Sequence, residues 1–262
     1  MDKDPYLLQT LSNGIDVIYA FEDEDQPLSA NEIGERIHLN RTTLFRLLYT
    51  LRHKGILDLD EETGKYRLGL KLVQLSALVL QRVGIKEIVR PYLEELRDKL
   101  NENILLLVLG EQSAIMIDKF EAKETMFATA YVGKVVPLYC TPSGKVFLSF
   151  QSEDYLKRYF KNVPLKKFTD NTITDKKELI NQLQLTKERG YGFDDEEAEE
   201  GLVGFAAPIV DSKGSIIASV SVGGPRSRIF RKKEEILKEL LSTTEKISKN
   251  LYFNAGVSSK LF

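Results

Sequence analysis

The 262-residue sequence holds one cysteine, no tryptophan and two histidines. A lone Cys140 excludes an internal disulfide, and with no second cysteine or histidine beside it no structural zinc site is expected there. Both histidines, His38 and His53, fall in one N-terminal stretch far along the chain from Cys140, so a Cys–His nucleophile pair is not expected either. Neither a phosphate-binding glycine loop of the P-loop kind nor a Gly-x-Ser-x-Gly elbow occurs. These absences argue against an enzyme, and no cofactor or metal is expected. No apolar run approaches the roughly 20 residues that span a bilayer. Met1-Asp2-Lys3-Asp4-Pro5 lacks the basic-then-apolar order of a signal peptide. The expected location is therefore cytoplasmic, with no membrane partner.

A large excess of one charge is missing too. Thirty-seven Lys and Arg against 39 Asp and Glu leave a net charge of −2, which excludes an indiscriminate nucleic-acid coat. What is present is ordinary for a soluble chain, 42% apolar and 29% charged, and the length suits two domains of unequal size. Charge is concentrated locally. From Arg36 to Lys54 there are Arg36, Arg41, Arg46, Arg52 and Lys54 without an acid, while Glu22 to Asp25 just upstream is wholly acidic.

Apolar spacing around the basic stretch predicts three helices, marked by Leu11, Ile15 and Ile18, then Ile33 and Ile37, then Leu44, Leu47, Leu48 and Leu51. Ser29 with Glu32 forms a capping-box pattern, Asn40 suits the N-cap of the third helix, and Gly55 ends it. Ile56 to Leu59 and Lys65 to Leu68, separated by Asp60-Glu61-Glu62-Thr63-Gly64, read as a hairpin wing. Helix, short turn, helix and wing is the order of a winged helix-turn-helix whose second helix enters the major groove. With the leucines inward, Thr42, Arg46 and Tyr49 share the outer face, and Arg41 and Thr43 lie near the exposed first turn. Lys65 and Arg67 on the wing would touch backbone or minor groove. The competing reading is a solvated basic face on an unrelated three-helix unit.

Leu70 to Val83 is apolar around most of a helix, so it needs cover on more than one side. It is either a core helix of one subunit or a connecting helix packed on a partner chain, and the second reading predicts a dimer. A further amphipathic helix from about Ile85 to Leu100 leads into a larger region. There, β-type runs (Ile104 to Leu109, Ile115 to Phe120, Leu202 to Val210, Ser215 to Val222) alternate with helical stretches near Pro142 to Phe150, Asp154 to Phe160, Asp175 to Arg189 and Lys232 to Leu251. The class is α+β without internal repeats.

At this point the sequence resembles the IclR family of transcription regulators from about Leu11 to Leu251. The likeness rests on Asn40-Arg41-Thr42-Thr43-Leu44-Phe45-Arg46-Leu47-Leu48 and Gly64-Lys65-Tyr66-Arg67-Leu68-Gly69. It continues through Tyr131-Val132-Gly133, Pro137-Leu138-Tyr139, Ser143-Gly144-Lys145, the run from Gly190 to Glu197, Ala206-Ala207-Pro208, Ser219-Val220-Ser221 and Gly224-Pro225. The resemblance implies a GAF-like α/β effector-binding domain joined by a helical linker to the winged helix-turn-helix, with dimers that often pair into tetramers. It also implies a regulator of transcription, repressor or activator, switched by small, frequently acidic or aromatic metabolites. The domains expected are residues 1–69 for DNA binding, 70–84 for linker and dimerisation, 85–252 for effector binding and 253–262 as a tail. Asn40, Arg41, Thr42, Thr43, Arg46, Tyr49, Lys65 and Arg67 are the expected DNA-binding set, on a pseudo-palindromic operator in double-stranded DNA.

The positions that resemble the family's effector pocket are Pro142, Ser143, Asp194, Leu202, Gly204, Ser221 and Gly223. Where Gly204 stands many members have Cys, and where Gly223 stands many have Ser, so two polar groups are missing and a different effector, or none, is implied. Independently, Thr141-Pro142-Ser143 has the form of a cap followed by a first-turn proline, which serves simple capping or a carboxylate ligand equally well. Asp194 to Glu200 holds acids at every position but Ala198; a solvated loop with Asp194 turned inward explains this better than a metal site. Two rivals stand beside the effector-switched regulator: a constitutive DNA-binding regulator, and a metabolite-binding protein whose winged helix contacts proteins.

Overall fold

A computed structural model describes residues 6–22, 26–83, 85–122 and 130–258. Most of the expected N-terminal acidic cluster, the Met1–Pro5 segment, Gly84 of the linker and the last four residues of the tail lie outside them. The chain divides into two compact units, Met1–Val83 and Gly84–Phe262.

The first unit contains α1 (Gln9–Tyr19), α2 (Ala30–Ile37), α3 (Arg41–His53), β1 (Leu57–Leu59), β2 (Tyr66–Leu68) and α4 (Leu70–Val83). Its core joins Val17, Phe21, Leu28, Ile33, Leu44, Leu47, Leu48 and Leu57. Leu47 and Leu48 are neighbours, so α3 buries a broad face against α1 and α2. Ser29 accepts from the Glu32 amide while Glu32 accepts from the Ser29 amide, and the box starts α2. Leu28 pairs with Tyr66 through two backbone hydrogen bonds, adding a third short segment to the wing. Asp60 accepts from the Glu62 and Thr63 amides and so closes the wing turn. The buried residue of α1 is Val17, which lies outside the Leu11, Ile15 and Ile18 spacing that marks the helix, and Leu11 is 62% exposed. Helical spacing identifies an apolar stripe but not what covers it.

The second unit contains α5 (Ile85–Leu100), β3 (Asn103–Leu109), β4 (Ser113–Phe120), β5 (Val135–Pro137), α6 (Pro142–Ser149), α7 (Glu153–Asn162), α8 (Lys176–Arg189), β6 (Gly192–Asp195), β7 (Leu202–Val210), β8 (Ile216–Pro225), α9 (Arg226–Arg231) and α10 (Lys233–Ser258). Six strands form an antiparallel sheet in the order β5-β4-β3-β8-β7-β6. Alternation along β3 sends Leu107 into a core with Phe147, Leu148, Leu179 and Leu183 of α6 and α8. Ile104 and Leu106, also buried, point to the opposite face, which α5 and α10 cover. Helix α10 continues through residues 253–258, the start of the expected tail.

Candidate nucleic-acid interface and ligand cavity

Helix α2 ends at His38, which takes the left-handed conformation at φ 52° and ψ 40°. That residue turns the chain so that Asn40 can cap α3, accepting from the Thr43 amide at 3.0 Å. Asn40 and Thr43 thus act first on the helix start, by side chain and by amide respectively. Arg41, Thr42, Arg46 and Tyr49 are exposed along α3, Tyr49 at 73% with its ring stacked on His53. The Arg41 guanidinium carbon lies 5.7 Å from the centre of the Phe45 ring. Phe45, itself half exposed, belongs to this surface, although its place among the leucines of α3 does not distinguish it in the sequence from a core residue. On the wing, Lys65 stands 4.0 Å from Glu32 and Arg67 3.9 Å from Asp58. Long, exposed pairs like these contribute little, so both cations stay available to a phosphate.

In the second unit, four strands bring one row together: Asp194 pairs with Gly204, Gly204 with Gly223, and Gly223 with Asn103. Residues in one row share a face, so a carboxyl and a carboxamide flank two bare glycines. Above them the first turn of α6 begins at Thr141, whose hydroxyl accepts from the Gly144 amide at 3.2 Å. The result is a cavity of about 160 Å³ whose walls include Pro142, Asp194, Leu202, Gly204, Ser221 and Gly223, with Asn103, Leu105 and Ala130 added. Asn103 was missed because its carboxamide already serves the Ala122 amide and nothing in its neighbours marks it. Ser143 is the expected site residue that does not line the cavity. It is buried and its hydroxyl accepts from Ser219 at 3.0 Å, tying α6 to β8.

Asp194 is buried, and burial raises its carboxyl to about 7, against the opposing effect of the Glu197 amide that donates to it at 2.7 Å. The acidic run is not uniformly solvated. Glu197 is buried and forms an ion pair with Lys145 of α6, which is 1% exposed and also donates to the Phe193 carbonyl at 2.9 Å. The loop is fastened by Thr169 and Thr172, whose hydroxyls donate to the Glu196 and Glu197 carbonyls at 2.6 Å each. Cys140 is a buried core residue, its thiol pushed up to about 12 by burial. No group of His, Cys, Asp and Glu suited to a metal occurs among the described residues.

A helix-turn-helix with a small β wing, carried on one chain with an α/β domain that encloses a cavity, is the build of a ligand-responsive transcription regulator. Residues 10–61 match the IclR helix-turn-helix domain, and residues 77–249 match the bacterial transcriptional regulator IclR C-terminal domain. The HTH-type transcriptional regulator KdgR of Escherichia coli (strain K12) is 31% identical over 255 residues, 97% of each chain. The crystal structure of the Thermotoga maritima IclR is similar at a TM-score of 0.72 and 30% identity, covering 93% of this chain and 98% of that one. An IclR homolog from Microbacterium hydrocarbonoxydans, crystallised with 4-hydroxybenzoate, shares the fold at a TM-score of 0.77 and 24% identity, over 92% and 99% of the two chains. The chain belongs to the IclR family: a transcriptional regulator, not an enzyme, that binds DNA through its helix-turn-helix and carries an effector-binding C-terminal domain.

Proposed function

We propose that the protein acts as a homodimer, with dimers able to pair, whose two α3 helices read a pseudo-palindromic operator while a small molecule in the Asp194 cavity alters operator affinity. The observation that carries the DNA half is the capped α3 with Thr42, Arg46 and Tyr49 on its exposed face and the basic wing residues Lys65 and Arg67 beside it in sequence. Two-fold pairing would set two recognition helices about one DNA turn apart. The dimer reading draws support from α4, where Leu70, Val73 and Leu78 are each more than half exposed within a single chain. On that reading residues 70–84 serve as linker and dimerisation helix between a DNA-binding domain at 1–69 and an effector domain at 85–252. Acting on chromosomal DNA, a bacterial regulator of this kind works in the cytoplasm.

The effector half is favoured by the agreement between the cavity walls and six of the seven positions that resemble the family pocket. The fold-sharing homolog with 4-hydroxybenzoate makes a small aromatic acid a reasonable first candidate. Coupling requires that the ligand bind one arrangement of the DNA-binding heads better than the other. The test is an anisotropy titration of the protein on its own upstream DNA against a scrambled duplex, with salt varied. Preference for the upstream duplex that survives rising salt supports operator recognition; equal binding to both, with a genome-wide map showing no enriched sites, overturns it.

A further inference from the structure

From Lys157 to Lys177, across α7, the following loop and the start of α8, the second unit carries seven cations and two acids, in a chain whose net charge is −2. All seven cations are exposed. The two acids are already engaged. Asp170 pairs with Lys167 at 2.6 Å, and the Asp175 carboxylate caps α8, accepting from the Glu178 amide at 2.9 Å. Lys157 is held by Glu153 and Asp154 on its own helix, and the Lys176 amine donates to the Phe160 carbonyl at 2.8 Å. Arg158, Lys161, Lys166 and Lys177 remain, with no ion pair among the described residues.

Folding gathers these four on one side of the unit. Arg158 and Lys161 are one turn apart on α7. The bond from Lys176 to Phe160 fastens the first turn of α8, with Lys177, to the end of α7 that bears Lys161. The loop between them is pinned at Lys166, whose amide donates to the Tyr139 hydroxyl at 3.0 Å and whose carbonyl accepts from it at 2.9 Å. Local stability does not call for this arrangement. Lys176 and Lys177 stand in the first turn of α8, where the positive end of the helix dipole disfavours a cation. Unpaired cations kept at such a place suit an anion from outside the chain.

We propose that this α7–α8 face is a second DNA contact, which grips backbone phosphates without reading sequence. A lysine ammonium is a flexible point charge that matches a phosphate and lacks the planar fork that selects a base edge. DNA is favoured over another polyanion by the tether: the helix-turn-helix on the same chain binds DNA, so phosphates stand at high effective concentration around the second unit. The face is a local one. With the whole chain slightly acidic, attraction to DNA is confined to such patches and does not become a general coat.

The experiment is anisotropy titration of the full chain on its own upstream DNA and on a scrambled duplex, each of about four helical turns, between about 50 and 200 mM salt. Lys161→Gln/Lys166→Gln/Lys177→Gln neutralises the face. Lys187→Gln/Lys213→Gln/Lys238→Gln removes the same charge from exposed lysines elsewhere on the second unit, and so controls for net charge. The expected result is that the first triple weakens both duplexes alike, by about tenfold at the lowest salt, and reduces the log–log salt slope by about 2 to 3, while the control triple changes the slope by less than about 0.5. Thermal melts should match the parent. If Lys166→Gln lowers the melting temperature, Lys161→Gln/Lys177→Gln carries the same test with a slope change of about 1 to 2. Equal slopes for the two triples, or a parent that binds neither duplex, overturn the proposal. Poly-L-glutamate binding that the first triple alone loses, with duplex binding unchanged, also overturns it and assigns the face to an acidic protein.

Discussion

The Cγ atom of Pro142 lies 2.9 Å from the point where a Cβ on Gly204 would stand, so the proline ring of α6 occupies the space that a side chain on β7 would need. Gly192 on β6 shows the same closeness, its Cβ position being 2.1 Å from the Pro142 carbonyl oxygen. The bare positions admit the first turn of α6 onto the sheet. Gly204→Cys is therefore expected to destabilise the protein by about 1–3 kcal/mol through overpacking. Pro142→Ala in the same chain is expected to recover much of that loss, since it removes the clashing ring atoms. Urea unfolding of the two single variants and the double variant measures the coupling, and additive effects would sink the explanation.

The Lys145–Glu197 pair joins α6 to the loop after β6 inside the core, and Glu197 Oε2 has no hydrogen-bond partner among the described residues. Removing one member strands the other. Lys145→Met is expected to cost about 3–5 kcal/mol, whereas Lys145→Met with Glu197→Leu should unfold much closer to the parent. Denaturant midpoints at pH 7 decide this; a single variant no worse than the double one would show that the pair is dispensable.

Asp194 gives a pH-dependent prediction. With its carboxyl at about 7 in the folded chain and 3.8 as its ordinary value, the folded state holds that proton more tightly than the unfolded state. Below about pH 4 the carboxyl is protonated in both and costs nothing. Between about pH 4 and pH 7 its contribution turns increasingly unfavourable, reaching at most about 4 kcal/mol above that range. Asp194→Asn still accepts from the Glu197 amide but cannot ionise. Its stability advantage over the parent should therefore grow as pH is raised from 5 to 8, read from paired thermal melts. An advantage that shrinks with pH would mean the carboxylate is stabilised where it sits.

Much of this was legible in the sequence because it is local. Ser29 with Glu32, Asn40 before a leucine-spaced helix, and Thr141-Pro142 each declare a helix start within four residues, and the structure has all three caps. The unread parts depend on partners distant in the chain. Strand β6 is only Gly192–Asp195, ending in two acids, and exists because β7 pairs with it. Glu197 looked like one more solvated acid because its cation stands 52 residues earlier. Ser143 matched a pocket pattern, yet Ser219 turns it away from the cavity. Gly204 read as a missing polar group, and only the packing of Pro142 explains why nothing larger stands there.

The turn between α2 and α3 hangs on His38 in a left-handed conformation, which costs a residue with a Cβ about 1–2 kcal/mol. His38→Gly should leave stability unchanged or raise it by up to about 1 kcal/mol, while His38→Val should lower it by at least about 1 kcal/mol because β-branching suits that region least. Thermal melts of both variants test this, with operator titration confirming that the glycine variant keeps the α3 geometry. Equal melting of the valine variant and the parent would show that the turn is not under this constraint.

On DNA, Arg46 and Lys65 should fail differently. Arg46 projects from the middle of the exposed α3 face, where a guanidinium reaches base edges, whereas Lys65 sits on the wing. Arg46→Ala is expected to cost about 1–3 kcal/mol on the operator and less on scrambled DNA, narrowing the preference between them. Lys65→Ala should weaken both duplexes alike and reduce the salt slope by about one. Parallel anisotropy titrations at several salt concentrations separate the two. If Arg46→Ala weakened both duplexes equally, Arg46 would be a phosphate contact, and sequence reading would pass to Thr42 and Tyr49 on the same face.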